Sequence, residues 1–360
     1  MVEETSKPAP LSGWLILDKP RGLGSTQGVS AVKRVLRTHG YAKTKVGHGG
    51  TLDPFATGLL PLLINGATRL MPFIQSRDKV YEATVRLGQR TDTMDPTGEV
   101  IAAADPSGIT REQLEQELQG FLGKQQQVVP RFAAARVDGK HLYEYARAGE
   151  DVEQPSKEIE IFGIDLLDIR PADETVDVDL LVHSGAGTYV RALADDLGER
   201  LGVHGHLATL RRTRVDALDL ADGVTLDAIV SQSDAWRAER TARIEAGEKI
   251  PFEAARNAHT WREWLGGALK PVTSMLGAVS VLRLDERLAE AVASGTPIRK
   301  GQLAELPGAD QLRYRPGDRV VVEHPDGLRA VALVRTKVSS EALGRLGADA
   351  VVMDVERVLR

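Results

Sequence analysis

A mixed α/β unit followed by a smaller β-rich one is the organisation this sequence predicts, on three observations. Strand-like and helix-like segments alternate from residue 11 to about 230. From about 273 to 360 the chain turns to short β-like runs, Arg319 to Glu323 and Ala330 to Val334, broken by Gly317 and by Pro325-Asp326-Gly327. Its 360 residues are long for one compact domain, and a hydrophobic fraction of 42% is ample for more than one buried core.

Met1 to Pro10 is polar, carries Glu3 and Glu4, and reads as a disordered tail without the basic-then-apolar pattern of a secretion signal. Trp14 to Leu17 is an apolar run stopped by Asp18-Lys19-Pro20, a strand entering a turn. Ser25 or Thr26 then caps a helix with Val29, Val32 and Leu36 on one face and Lys33, Arg34 and Arg37 on the other. Tyr81, Ala83, Val85 and Leu87 alternate with Glu82, Thr84 and Arg86, the period of a half-buried strand, and Val176 to Val182 repeats it. Ser184, Gly185 and Gly187 make a turn, after which Val190, Leu193, Leu197 and Leu201 recur at helical spacing, so Tyr189 and Arg191 sit where strand hands over to helix.

Gly108 to Glu160 reads as an insertion extending from the sheet: a helix from Arg111 to Phe121, then a glutamine-rich, proline-broken stretch with Arg131, Arg136, Lys140 and Arg147. Residues 231–272 read as a helical linker whose Trp236, Trp261 and Trp264 pack against something. No internal repeat is evident.

The net charge of -5 and pI near 6.0 exclude a globally basic nucleic-acid binder, so any RNA surface has to be local. Residues 11–51 supply one, carrying Lys19, Arg21, Lys33, Arg34, Arg37, Lys43 and Lys45 against Asp18 alone, a net of +6. Arg211, Arg212 and Arg214 form a second basic cluster, whereas residues 273–360 are nearly balanced at +1. The absence of cysteine excludes disulfides and thiolate metal sites and suits a reducing cytoplasm. No apolar run approaches the roughly 20 residues that span a bilayer, and a soluble cytoplasmic protein is expected.

The most informative stretch is Gly47-His48-Gly49-Gly50-Thr51-Leu52-Asp53-Pro54-Phe55-Ala56-Thr57-Gly58. Three glycines in four positions forfeit packing and backbone entropy, but they let a ligand approach the main chain. Asp53 before Pro54 reads equally well, by spacing alone, as a helix N-cap. No Gly-Lys-Ser or Gly-Lys-Thr follows, so the loop is not a nucleotide-binding P-loop.

This run, continued by Leu59-Leu60-Pro61, closely resembles the signature of the tRNA pseudouridine-55 synthase family of the TruB type. Other stretches agree in order. They are Asp18-Lys19-Pro20 with Gly22 and Ser25, Lys79-Val80-Tyr81, Arg86-Leu87-Gly88, Thr91-Asp92-Thr93 with Asp95 and Gly98, Gly187-Thr188-Tyr189-Val190-Arg191-Ala192-Leu193-Ala194, and Leu210-Arg211-Arg212-Thr213. The resemblance spans residues 13 to about 230. Gly49 stands where the family usually has threonine, Gly24 replaces a small hydroxyl residue, and Val129-Pro130-Arg131-Phe132 replaces a proline-proline-x-tyrosine pattern.

The resemblance implies an α+β fold with a mixed, largely antiparallel sheet, flanking helices and an RNA-gripping insertion in a catalytic domain at 11–230. It also implies a small β-rich PUA-like RNA-binding domain at 273–360. The implied activity is isomerisation of uridine in the tRNA T-loop: the C1'–N1 bond breaks, uracil turns and rejoins through C5. Asp53 is the implied essential carboxylate, Arg191 its ion-pair partner and Tyr81 the ring that stacks on the target base. His48 is implied at the space left by the extruded nucleotide, and Tyr189 and Leu210 against the base. Lys19 supports the opening motif or meets a phosphate. Read alone, Tyr81 and Leu210 are core residues, His48 a turn histidine, and Arg191 a partner for Asp195 one turn on. The reaction requires no cofactor, and His204-Gly205-His206 lacks the accompanying ligands of a zinc site. The expected partner is tRNA, at the T-loop and acceptor stem, met by a monomer away from any membrane. The alternatives are a non-catalytic RNA-binding or folding factor, or the same chemistry on another RNA.

Overall fold

The computed structural model describes residues 11–39, 41, 43–248, 264, 267–276, 280–325 and 330–359. The expected N-terminal tail and Trp261 lie outside them.

The chain opens in β1 (Gly13–Lys19). The strand is apolar at consecutive positions because both faces are covered. Leu15 and Leu17 enter the main core, while Trp14 and Ile16 enter a second cluster on the opposite face. The helix α1 (Ser25–Thr38) follows with its apolar stripe inward. Its cap is Gly24, whose N–H donates to Gln27 Oε1 at 2.7 Å, and not Ser25 or Thr26. Buried Ser25 instead exchanges hydrogen bonds with the Leu52 main chain, donating to its carbonyl at 2.9 Å and accepting from its N–H at 2.8 Å.

Next come β2 (Val46–His48), β3 (Thr57–Ile64), the short helix α2 (Met71–Gln75) and β4 (Lys79–Leu87). The pair β5 (Gln89–Thr91) and β6 (Val100–Ala103) forms a separate hairpin. Then follow α3 (Arg111–Gln119), β7 (Gly123–Val128), the small hairpin β8 (Arg136–Val137) and β9 (Lys140–His141), and α4 (Leu142–Ala148). The long β10 (Ser156–Pro171), β11 (Val176–Ser184), α5 (Val190–Arg200), β12 (Gly205–Val215), β13 (Leu218–Asp219), β14 (Val224–Thr225) and α6 (Leu226–Glu245) complete the larger unit.

The main sheet runs β14-β1-β3-β12-β4-β11-β10-β7, with β2 added on β3 and β13 on β12. Its pairings are antiparallel except β1 with β14 and β3 with β12. The predicted alternation holds: Tyr81, Ala83, Val85 and Leu87 face the core, as do the alternate residues of β11.

Two expected boundaries move. The strand β7 and the start of β10 pair residue by residue at the sheet edge, so only 129–155 projects from the fold, around a small cluster of Val129, Ala133 and Leu142. The helix expected within a linker begins at Leu226, and Trp236 lays its ring 4.6 Å from that of His39 at the end of α1. Residue 230 therefore falls inside a packed helix. The chain also returns to β1, where Trp14 and Lys270 exchange main-chain hydrogen bonds of 3.0 and 2.7 Å.

The C-terminal unit contains β15 (Ser280–Arg283), α7 (Glu286–Ala293), β16 (Ile298–Arg299), α8 (Lys300–Ala304), β17 (Arg319–Glu323), β18 (Ala330–Thr336) and β19 (Val351–Val358). Its sheet runs β15-β17-β18-β19-β16 over its own core. Val321, Leu333 and Leu359 also cover Trp14, Ile16, Leu59 and Leu63, so the two units share an apolar cluster. Among the described residues no helix is long and apolar enough to cross a membrane.

Candidate active site

The glycine-rich run becomes a loop between β2 and β3, fastened by the side chains of Arg212, Ser25 and Lys19. Arg212, 1% exposed on β12, donates from Nε to Leu59 O at 2.8 Å, from Nη2 to Gly50 O at 3.0 Å and from Nη1 to Thr51 O at 3.4 Å. Ser25 holds Leu52. Lys19 donates to the carbonyls of Leu23 at 2.7 Å, Pro20 at 3.0 Å and Pro54 at 3.3 Å. A buried guanidinium and a buried ammonium thus grip the main chain on either side of Asp53, and such charge-assisted bonds are stronger than neutral ones.

The glycines work differently from the expectation. A Cβ on Gly47 would meet Met71 Sδ at 2.4 Å and one on Gly49 would meet Ile74 Cγ2 at 2.7 Å, so these two admit α2 and not a ligand. That also accounts for glycine at 49: Ile74 fills the place a threonine side chain would need. Gly50, at φ 137°, lines the cavity and holds a backbone geometry that side chains disfavour. Asp53 starts no helix. The chain turns at once, Ala56 N–H donating to Asp53 O at 3.1 Å, and the carboxyl is left for other partners.

It faces a cavity of about 530 Å³ whose walls include Tyr81, Tyr189, Arg191 and Leu210. Arg191 Nε lies 3.3 Å from Asp53 Oδ2, and the arginine side chain is 4% exposed against 35% for the aspartate. The rest of the guanidinium is also engaged: Nη2 donates to Phe132 O at 2.9 Å, Nη1 reaches Thr93 O at 3.5 Å, and Nη1 lies 3.9 Å from Asp95 Oδ2. Asp195, the alternative partner for Arg191 on the same helix, pairs with Arg90 at 2.8 Å. Buried Asp95 is itself fixed, its Oδ1 accepting from Thr93 Oγ1 at 2.8 Å and from Thr97 N at 2.9 Å. Burial pushes the Asp53 carboxyl above its ordinary value, opposed by Arg191, reinforced by Asp95 and opposed again by Lys19. Burial likewise brings the Lys19 ammonium down to about 8, against the pull of Asp53.

Of the sequence-predicted residues, Asp53, Tyr81, Tyr189, Arg191 and Leu210 meet around this cavity. Two do not line it. Lys19 has no exposed surface and spends its donors on carbonyls, so it supports the opening motif and cannot meet a phosphate. His48, half-buried at the end of β2, stands outside the wall. Burial and the nearby Arg212 lower its pKa, which leaves the ring neutral at pH 7. The grips of Arg212 and Ser25 went unread. A signal existed for Arg212, which shares with Leu210 the inward face of β12, where a cation requires a partner.

Comparison with known proteins places the chain in a family. Residues 33–190 match the family model for the TruB family pseudouridylate synthase N-terminal domain, and 191–276 that for the tRNA pseudouridylate synthase B C-terminal domain. A tRNA pseudouridine synthase B of Ralstonia pickettii (strain 12J) is 41% identical over 288 residues, which is 78% of this chain and 88% of the relative. The chain belongs to the TruB family of pseudouridylate synthases. The enzyme of that name from Caulobacter vibrioides is 37% identical across 86% of this chain and 91% of its own length. Among solved structures, that of a Cbf5-Nop10-Gar1 complex superposes with a TM-score of 0.64 at 23% identity over 97% of this chain and 85% of that one. An H/ACA RNP bound to a substrate RNA containing 2'-deoxyuridine gives 0.64 at 21% identity, covering 99% and 92%. These likenesses show the fold, a mixed α+β sheet with a β-rich C-terminal unit. Formation of pseudouridine in tRNA is the activity this TruB-family chain carries. The β-rich unit from Ser280 onward lies beyond both family-model matches.

Proposed function

We propose that the chain isomerises uridine 55 in the T-loop of tRNA, with Asp53 as the essential carboxylate. One observation carries the reading: an aspartate 3.3 Å from a buried arginine, in a cavity walled by two tyrosines and a leucine and large enough for a nucleoside. A uridine held in a folded loop has to leave its stack to reach such a cavity. Tyr81 then stacks on the uracil, with Tyr189 and Leu210 against the base. Burial favours the protonated form of Asp53, and the Arg191 guanidinium is the main influence opposing it, favouring the carboxylate. The neutral His48 ring fills the space the nucleotide vacates. The exposed cations of α1, Arg34 and Arg37, attract the phosphates of the stem and lose effect as salt rises. The C-terminal unit receives the acceptor stem of a tRNA bound by one cytoplasmic monomer.

The test is to map pseudouridine after incubating the protein with unmodified tRNA and with tRNA carrying cytidine at position 55. Product at 55 alone, absent from the cytidine tRNA and lost in Asp53→Ala with RNA binding retained, supports the reading. Product at another position, or on another RNA in preference, overturns the substrate assignment. Full product from Asp53→Ala overturns the role of the carboxylate, and binding without product in the wild type points to a non-catalytic RNA factor.

A further inference from the structure

Within the glutamine-rich stretch of β7, one residue is unlike its neighbours. Gln127 is 5% exposed, whereas Gln126 on the same strand faces solvent. Its amide is committed to a single residue 62 positions away. Tyr189 N–H donates to Gln127 Oε1 at 2.8 Å, and Gln127 Nε2 donates to Tyr189 O at 3.1 Å. The side chain thereby copies the exchange that an antiparallel strand makes with a hydrogen-bonded neighbour, at a place where no strand runs.

The residue so held is the N-cap of α5, in an extended conformation of φ -101° and ψ 104°, with no side-chain cap of its own. Its carbonyl also accepts from Ala192 and Leu193 N–H, as a helix start requires. Its N–H lies outside the helix ladder and has Gln127 as its partner. Fixing both ends of this residue fixes where the Tyr189 ring points and where the first turn of α5 begins. Arg191 is in that turn, with its guanidinium 5.9 Å from the Tyr189 ring centre and 3.3 Å from Asp53. Phe132 O, from the projecting segment that follows β7, takes the Arg191 Nη2 bond, and Tyr189 packs on that segment's cluster. The sheet edge and the segment beyond it therefore converge on the strand-to-helix turn that carries two walls of the cavity.

We propose that Gln127 is a positioning residue for pseudouridine formation, setting the Tyr189 ring and the Arg191 guanidinium against Asp53 through its two-sided grip on the Tyr189 main chain. This rests on the assignment of Asp53, Tyr189 and Arg191 to the reaction. Gln127 itself touches neither substrate nor reacting atoms.

Gln127→Met keeps the length and packing of the side chain and removes both hydrogen bonds. Single-turnover and steady-state assays on tRNA should show kcat lowered ~10- to 100-fold, the scale of a misplacement near an ångström. KM should stay within about threefold, because substrate binding is not the interaction removed. Gln127→Glu keeps the acceptor for Tyr189 N–H and should recover part of the lost kcat. An unchanged kcat in folded Gln127→Met overturns the proposal, as does a loss expressed wholly in KM or in the folded fraction. Should the methionine variant not fold, Gln127→Asn, with the same amide one methylene short, decides by the same kcat criterion. Asp53→Ala measured alongside separates two failures. Inactive Asp53→Ala beside fully active Gln127→Met removes the role of Gln127 alone, whereas active Asp53→Ala removes the site on which it depends.

Discussion

In the larger unit Lys19, Asp95, Arg191 and Arg212 are all 5% exposed or less, whereas in the C-terminal unit Arg319, Arg335 and Lys337 meet Glu356 and Asp354 at the surface. Both units have cores of valine, leucine and isoleucine, and for folding alone the second arrangement suffices. Burying a charge is costly unless hydrogen bonds and counter-charges offset it, and replacing such groups with apolar ones often stabilises a protein. Four buried charges, Arg191 and Arg212 in the cavity wall and Lys19 and Asp95 on the segments that support it, are therefore poorly explained by stability. They fit the proposed role of Asp53, whose loop they hold in place.

The largest test of that contrast is Arg212→Met. The change leaves the carbonyls of Leu59 and Gly50 without their donor, and a buried polar group stripped of its partner costs about 1–3 kcal/mol. With the weaker bond to Thr51 included, chemical denaturation should show a loss of about 3–5 kcal/mol. A loss under about 1 kcal/mol would mean that the loop is shaped without Arg212, and that the comparison fails at its centre.

Next is Arg191→Met, read as activity. Arg191 is the principal influence holding the Asp53 carboxyl down against burial. Its removal raises that carboxyl further, so the acid limb of the pH–rate profile should move to higher pH, and kcat at pH 7 should fall about 10²- to 10³-fold. An acid limb that stays in place would show that Asp53 does not set it.

Much of this was legible in the sequence, and the unread part has a common cause. The strand Tyr81 to Leu87 and the helix from Val190 declare themselves because their periods report one buried face each. The glycine-rich loop and its aspartate stand out by composition. What stayed hidden are contacts between distant segments: Ser25 with Leu52, Arg212 with Gly50, Gln127 with Tyr189. A hydroxyl, a guanidinium and an amide choose such partners by proximity in space, which local pattern does not encode. Gly47 and Gly49 misled for the same reason, since the space they leave is taken by Met71 and Ile74. The helical character of the segment after 230 and the packing of Trp236 follow the expectation, but its start at Leu226 does not, because α6 has charged residues on much of its surface and only Ile229, Ser233 and Trp236 mark its buried line.

A smaller test concerns His39, which is 1% exposed between α1 and α6 and bonded from Nε2 to Ser233 Oγ at 2.9 Å. Burial, with Arg237 nearby, lowers its pKa from 6.5 to about 4. A group depressed in the folded state stabilises above its unfolded pKa and loses that contribution as pH falls through the folded one. Stability should therefore decline between pH 6.5 and 4, by at most about 3 kcal/mol from this residue. In His39→Gln the decline over that window should be shallower, as melting at pH 7 and pH 5 would show. An equal slope in both proteins would assign it to the carboxylates instead.

The smallest effect belongs to the C-terminal unit and guards the other half of the comparison. Glu356 accepts from Arg319 at 3.0 Å and from Arg335 at 2.9 Å, with the arginines 37% and 51% exposed. Hydrogen bonding from Arg319 leads the influences that hold its carboxyl below the usual range. The linkage sign is the same as for His39: the pair stabilises at neutral pH and its contribution is lost as pH falls through the lowered value. Solvent screens the pair, however, and exposed ion pairs are worth about 0–1 kcal/mol. Glu356→Gln should lower stability by no more than about 1 kcal/mol at pH 7, less again in high salt, with pseudouridine formation unchanged. A loss as large as that from Arg212→Met would place a structural charge network in the C-terminal unit too, and buried gripping cations would no longer distinguish the catalytic unit from its neighbour.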